Sequence, residues 1–134
     1  MAIRLINPAE IARPSGFSHG AVGRGLMLFI AGQIGADKEG KIVSDDLVDQ
    51  FDWALGNVVR VIQEAGGKPE DIIKINLLVL DKDEYRDRTR DIGVAYRKHL
   101  GRYFPAMTFA AVKGLYNEKA KVEIEAVALL SQEG

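Results

Sequence analysis

The stretch from residue 45 to residue 65 constrains the fold most, because it carries a single continuous apolar stripe. Apolar residues recur there at steps of three and four, the spacing that places side chains on one face of an α-helix. The stripe consists of Leu47, Phe51, Ala54, Leu55, Val58, Val59 and Ile62. Ser44 is predicted to cap the start of this helix, and the pair Gly66-Gly67 is predicted to end it.

Six other segments have the composition or the alternation of β-strands. The predicted strands span residues 3–6, 21–24, 26–32, 72–80, 106–112 and 121–129. Segment 26–32 is almost wholly apolar, which is typical of a strand covered on both faces. Segments 72–80 and 121–129 alternate, so each should turn one apolar side to the core. These apolar sides consist of Ile73, Ile75, Leu77 and Val79 in the first, and Val122, Ile124, Ala126 and Ala128 in the second.

A second helix is predicted over residues 83–99. One side of it carries Tyr85, Ile92, Tyr96 and Leu100. Its charged run DKDEYRDRTRD alternates in sign and is typical of a solvated helix face. The resulting order β-β-β-α-β-α-β-β predicts one α+β domain over residues 1–134, with a mixed sheet and two helices on one face.

The other face of the sheet is predicted to be half apolar. It should expose Met107, Phe109, Leu78 and Val127 among charged neighbours. A small protein rarely leaves so much apolar sheet in water, so self-association through this face is expected. The glutamates of strand 121–129 would then lie at or near a subunit interface.

Composition excludes several classes of function. The net charge of −1 and the pI of about 6.1 argue against a nucleic-acid binder that uses a broad basic surface. The chain has no cysteine, so thiolate catalysis and Cys-based zinc sites are excluded. His19 and His99 lack the spacing of paired metal ligands, so no metal is expected. Without a signal peptide or an apolar run of about 18 residues, the chain is expected to be cytoplasmic with no membrane partner.

Three motifs, in this order along the chain, resemble the Rid family, also called YjgF or RidA-type proteins. They are Ala31-Gly32-Gln33-Ile34, Phe104-Pro105-Ala106 and the segment 122–128, VEIEAVA. The resemblance implies a chorismate-mutase-like fold assembled as a homotrimer, with the three sheets forming a central barrel. It also implies clefts between subunits for small carboxylate-bearing metabolites, and cofactor-free hydrolysis of enamines or imines to oxo compounds and ammonia.

The resemblance assigns Glu123 as the catalytic residue that places the attacking water. A carboxylate can act there as general base and general acid. The predicted substrate-binding residues are Phe17, Ser18, His19, Gly32, Gln33, Pro105, Met107 and Phe109. The alternative for Glu123 is a surface or interface residue that pairs with Lys121 of another strand.

The chain departs from the family pattern at residue 107. The imine deaminases of the family carry an arginine there, two residues after the proline, which clamps the substrate carboxylate; this chain has Met107. Phe17 lacks a tyrosine hydroxyl, and Ala31 and Phe109 also make the predicted cleft more apolar. Arg102, Arg24 and Lys113, or His19 in the loop, are candidates to replace the missing cation.

Three hypotheses of function follow. The first is a cofactor-free hydrolase of an enamine or imine, and the second is a trimer that binds a small metabolite or regulates without turnover. The third is a ribonuclease, a label given to some relatives in the family, which the near-neutral charge and the lack of a histidine pair argue against.

Overall fold

The computed structural model describes residues 3–131, which form two β-sheets, three α-helices and one short 3-10 helix (Pro69–Asp71). Strands β1 (Ile3–Ile6) and β2 (Gly20–Gly23) form a small antiparallel sheet. The main sheet contains β3 (Leu26–Gln33), β4 (Ile72–Val79), β5 (Ala106–Ala111) and β6 (Val122–Leu130). Its order is β3-β6-β4-β5, with β4 and β5 parallel and the other pairs antiparallel. The predicted α+β class with a mixed sheet is confirmed.

Helix α1 (Leu47–Glu64) supplies one half of the core. All seven residues of the predicted stripe are buried, and they pack on the inward residues of β4 and β6. The helix ends where the glycine pair predicts: Gly66 has a φ of +90°, and the Gly67 N–H donates to the carbonyl of Ile62 at 2.9 Å. None of the helices within residues 3–131 combines the length and the apolar character needed to cross a membrane.

The predicted cap of α1 is wrong by two residues. Asp46, not Ser44, is the N-cap, and its carboxylate accepts a hydrogen bond from the Asp49 N–H at 3.1 Å. Ser44 instead accepts from the Asp46 N–H and donates to the Asp49 carboxylate. Asp46 also accepts from Arg88 Nη1 at 2.8 Å, and this hydrogen bond lowers the pKa of the Asp46 carboxyl.

Replacing Asp46 by alanine is expected to lower the free energy of unfolding by about 1 kcal/mol, the usual loss for an aspartate N-cap. Urea unfolding at pH 7 measures this loss, and Asp45→Ala is the control, because Asp45 is an exposed neighbour whose side chain forms no hydrogen bond or ion pair within residues 3–131. Since the Asp46 pKa is lowered in the folded state, its stabilising effect is present above the unfolded pKa of about 3.9 and is lost as the pH falls below it. An equal loss in both variants, or a loss that persists at pH 2, would contradict the assignment.

The second predicted helix is two helices. The structure divides residues 83–99 into α2 (Lys82–Asp87) and α3 (Thr89–Leu100), and Arg88 between them has φ −106° and ψ 16°. Arg88 turns its side chain to Asp46, and the Thr89 hydroxyl donates to the Arg86 carbonyl at 2.7 Å. No glycine or proline marks this break, so composition could not reveal it. All three helices still lie on one side of the main sheet, as the contacts of α1 and of Tyr85 in α2 show.

Strand β6 has the predicted alternation, whereas β4 differs at its first residues. Val122, Ile124, Ala126 and Ala128 are buried, as are Ile75, Leu77 and Val79. A β-bulge between residues 72 and 74 inserts an extra residue into β4, so Ile72 rather than Ile73 is fully buried.

The prediction that Met107 and Phe109 share the exposed sheet face is wrong. Met107 pairs with Ile75 and Phe109 pairs with Leu77, and residues directly opposite in a sheet point to the same side. Both side chains therefore lie on the side that carries the helices, hereafter the helix side. Leu78 and Val127 do lie on the opposite, helix-free side.

Strand β3 is not covered on both faces within one chain. Met27 and Phe29 pair with Leu129 and Val127, which places them on the helix-free side, and they are 62% and 70% exposed. Because the three α-helices lie on the other side of the sheet, none of them covers Met27 and Phe29. The helix-free side therefore carries a large apolar patch along β3.

Candidate functional site

The predicted site residues divide between the two sides of the main sheet. Glu123 pairs with Leu78 across β6 and β4, and it lies on the helix-free side. Met107 and Phe109 lie on the helix side. The sheet backbone therefore separates the proposed catalytic carboxylate from the proposed substrate-binding residues of the same chain.

Glu123 lies over a β-bulge in β3. The register passes from Ile30 opposite Ala126 to Gln33 opposite Ile124, so β3 contains one extra residue at this point. A Cβ atom on Gly32 would lie only 1.9 Å from Glu123 Oε2 and 2.6 Å from its Cδ. The Ala-Gly-Gln motif therefore has a physical role, because only glycine leaves space for this carboxylate. The Gln33 amide folds back and donates to the Ala31 carbonyl at 3.0 Å.

The Glu123 carboxylate has no hydrogen bond and no ion pair with any residue in the described range 3–131. Lys121 of the same chain lies 3.5 Å from the carboxylate of Glu84, and the alternative pairing of Glu123 with Lys121 of another strand stays a prediction. Glu125, two residues along the same side of β6, accepts a hydrogen bond from Asn76 at 3.1 Å. Of the two glutamates, Glu123 is therefore the one whose oxygens are available to a water or a ligand.

A cavity of about 690 Å³ opens on the helix side, between the β4–β5 edge of the sheet and helices α2 and α3. Phe17, Met107 and Phe109 from the predicted site line it, together with residues that sequence reasoning did not assign to a site. The additional wall residues include Tyr85, Thr89, Gly93, Tyr96, Arg97 and Phe104. A volume of this size is typical of small-molecule sites, and the wall is mainly aromatic and aliphatic.

The aromatic residues of this helix-side cavity are fixed by contacts with one another. Tyr96 stacks on Phe104 with ring centroids 5.3 Å apart, and Tyr85 contacts Phe109 at 4.7 Å. The Tyr96 hydroxyl donates to the Tyr103 carbonyl at 2.6 Å. Burial raises the pKa of Tyr85 to about 12 and that of Tyr96 further, so both phenols stay protonated near neutral pH. The wall therefore offers shape and apolar surface, and these phenols are poor general bases.

Ser18 and Pro105 connect the loop before β2 to the strand that follows α3. The Ser18 N–H donates to the Pro105 carbonyl at 3.0 Å, and the buried Ser18 hydroxyl donates to the Phe104 carbonyl at 2.7 Å. These bonds hold the neighbouring Phe17 ring in the cavity wall. Both residues thus position the wall, and neither lines the cavity itself.

His19 is held beside the cavity. Its Nε2 lies 2.7 Å from the Ala12 carbonyl, and its ring meets the Phe17 ring edge-on at 5.3 Å. It is not among the residues that line the cavity, and neither are Arg24, Arg102 and Lys113. No three His, Asp or Glu side chains among residues 3–131 lie close enough together to bind a metal ion.

Arg97 is the charged residue among the wall residues that sequence reasoning did not assign to a site. It follows Tyr96 on α3, one position away from the predicted apolar side of that helix. Gly93, four residues earlier, is the signal that could have indicated it. Residues four apart lie on the same helix face, so a glycine there leaves space beside Arg97.

The chain and its fold are similar to known proteins. Residues 8–130 match the family model described as endoribonuclease L-PSP. A RutC family protein of Pyrococcus horikoshii is 32% identical over 87% of this chain and 89% of its own. A 2-iminobutanoate/2-iminopropanoate deaminase of Salmonella typhimurium is 31% identical over 78% of this chain and 80% of its own.

Solved structures are similar over almost the whole chain. A Rid-family protein from Yersinia pestis, YyfB, superposes with a TM-score of 0.86 at 31% identity, covering 97% of this chain and 100% of that one. The E. coli protein TdcF, solved with bound serine, superposes with a TM-score of 0.68 at 28% identity, covering 89% and 91%.

Proposed function

The chain belongs to the Rid family, and from this membership we propose that it acts on a small metabolite in a cleft completed by a second copy of the chain. The proposed reaction is the hydrolysis of an enamine or imine to an oxo compound and ammonia, without a cofactor. Glu123 is the proposed catalytic residue. The proposed functional unit is a homotrimer of single-domain chains.

The observation that carries this proposal is the separation of Glu123 from the helix-side cavity. Two groups on opposite sides of one sheet cannot both contact the same small molecule, because the backbone lies between them. A neighbouring copy can bring its own Glu123 side to the cavity edge of the first. The exposed Met27 and Phe29 support such packing, since apolar patches of this kind mark interfaces.

The chemistry requires few groups, because an imine carbon is already electrophilic. Glu123, as carboxylate, accepts a proton from water while the water oxygen bonds to the imine carbon and the C–N π electrons move to nitrogen. The carboxylic acid then returns that proton to nitrogen. Glu123 then takes the hydroxyl proton and passes it to the amino nitrogen. The C–N bond breaks with its electron pair going to nitrogen, so ammonia leaves as the oxygen forms the new carbonyl. An enamine first takes a proton on carbon to become the imine.

A second candidate function is binding without turnover. The observation that favours it is Met107, which cannot donate a hydrogen bond where the imine deaminases of the family carry an arginine. A ligand held only by apolar contacts is oriented less strictly, and lost orientation reduces rate more than affinity.

The test is to generate 2-aminoacrylate in solution and follow its decay with and without the protein. Wild type is expected to accelerate the decay, Glu123→Gln to abolish the acceleration, and Glu125→Gln to retain it. Glu125 is the matched control, because it lies on the same side of the same strand but is already bonded to Asn76. Equal activity of the two variants would contradict the role of Glu123.

Two further measurements separate the candidate functions. If wild type does not accelerate the decay of 2-aminoacrylate and Met107→Arg does, the chain is a binding protein. Its fold then supports catalysis once the arginine is present. Light scattering is expected to give three times the subunit mass of 14.7 kDa. A protein that is active as a monomer would overturn the shared cleft.

A further inference from the structure

The helix-side cavity contains one charged wall residue among the residues that the structure describes. That residue is Arg97, and the rest of the wall is aromatic, aliphatic, glycine or hydroxyl-bearing. Its guanidinium has no hydrogen bond or ion pair within residues 3–131. A cation at an apolar cavity, without a protein partner, leaves its donors available to an anion.

Neighbouring cations contrast with Arg97, because their charges are already engaged. Arg88 bonds to Asp46, Lys98 lies 3.0 Å from Asp52, and Arg60 donates to Asn57. Arg97 is therefore not one more member of a surface ion-pair network. Arg90, on the same helix, is also unpaired within residues 3–131, but it does not line the cavity, so Arg97 is the unpaired cation at the cavity wall.

Gly93 directs the Arg97 side chain along the cavity. Arg97 Nη1 lies 3.1 Å from the position that a Cβ atom would take on Gly93, so the guanidinium folds back over α3 at this residue. Gly93 and Arg97 both line the cavity. The exposed Arg97 side chain thus lies along α3 beside Gly93, at the mouth of the cavity, where its guanidinium is open to solvent and to a ligand.

We infer that Arg97 anchors the carboxylate of the ligand and that the ligand carries a bulky apolar body, aromatic or branched. A guanidinium binds a carboxylate through two parallel hydrogen bonds, which fixes its orientation. The cavity of about 690 Å³ and the rings of Phe17, Tyr96 and Phe109 fit such a body, whereas a two- or three-carbon acid would leave most of the space unfilled. This inference rests on the proposed function for the reaction, but the binding site itself requires no turnover.

The test uses stable probes and calorimetry. Wild type is expected to bind 3-phenylpropanoate at least tenfold more tightly than propanoate and than the neutral 3-phenylpropanamide. Arg97→Gln should weaken 3-phenylpropanoate binding roughly tenfold or more, the effect of losing a charge-assisted hydrogen bond, and leave the amide unchanged. Arg97→Lys should bind 3-phenylpropanoate with an affinity between those of wild type and Arg97→Gln. Arg90→Gln is the matched control, an exposed arginine on the same helix outside the cavity wall.

Equal affinity of wild type and Arg97→Gln for 3-phenylpropanoate would overturn the assignment of Arg97. Propanoate binding as tightly as 3-phenylpropanoate would overturn the ligand class, and so would no binding of either acid. The same titration on Glu123→Gln separates this inference from the proposed function. If Glu123→Gln still binds 3-phenylpropanoate and neither wild type nor any variant hydrolyses the imine, the catalytic proposal is refuted. The assignment of Arg97 as the carboxylate anchor is then unaffected.

Discussion

Replacing Gly32 by alanine is expected to reduce imine turnover by roughly 10²–10⁴-fold, the usual contribution of a general acid–base residue. A methyl group on Gly32 would lie 1.9 Å from Glu123 Oε2, so the carboxylate would have to move. The colliding atoms are the end of a flexible, partly exposed side chain, so the fold should absorb the change by moving Glu123. The variant therefore displaces the Glu123 carboxylate while residue 123 itself stays a glutamate.

The control for this experiment is Gly20→Ala. A Cβ on Gly20 would meet its nearest neighbour, Ile6 Cβ, at 3.5 Å, which is an ordinary contact. The measured quantity is kcat/KM for the imine, with circular dichroism and light scattering to show that fold and assembly are unchanged. Wild-type turnover by a folded Gly32→Ala protein would show that the position of Glu123 over the bulge is unimportant.

Gln50→Leu is expected to lower the free energy of unfolding by about 3 kcal/mol, because it removes three hydrogen bonds between a buried side chain and the backbone, each contributing about 1 kcal/mol. Gln50 is fully buried on α1. Its amide donates to the carbonyls of Ser44 at 2.9 Å and Lys119 at 3.1 Å, and its Oε1 accepts from the Lys121 N–H at 2.8 Å. Leucine of similar size can replace none of these bonds.

The matched control is Gln63→Leu, an exposed glutamine on the same helix, which should change stability by no more than about 0.5 kcal/mol. Urea unfolding at pH 7 measures both variants. Gln50→Leu should also lower turnover, since Gln50 holds the backbone of Lys121, two residues before Glu123. Similar unfolding midpoints for the two variants would show that the buried amide contributes little.

The parts of the fold that sequence predicted well are those in which one side is fully buried. The α1 stripe and the alternation of β6 are confirmed, because burial of an entire face leaves a regular pattern in the residue types. The Rid resemblance drawn from three short motifs is confirmed as well. The break at Arg88 was missed because no glycine or proline marks it, and the bond from Arg88 to Asp46, 42 residues away, leaves no sign in the local sequence.

The assignment of faces in β5 failed for a different physical reason. Alternation shows that Met107 and Phe109 share a side, but only the pairing with Ile75 and Leu77 decides which side that is. The bonds of Gln50 were also beyond sequence reasoning, because its partners lie 69 and 71 residues away along the chain. Whether Ser18, His19 and Gln33 contact a ligand stays a prediction.

The division of the site between two sides of one sheet has a consequence for how activity is controlled. Under the proposed function, a single chain carries the catalytic carboxylate and the binding cavity on opposite sides of its sheet, so it contains no complete active site. At low protein concentration the separated chains would then be inactive, although each of them is correctly folded. Activity therefore depends on the fraction of chains that are assembled, and a cell could adjust that fraction through the concentration of the protein alone.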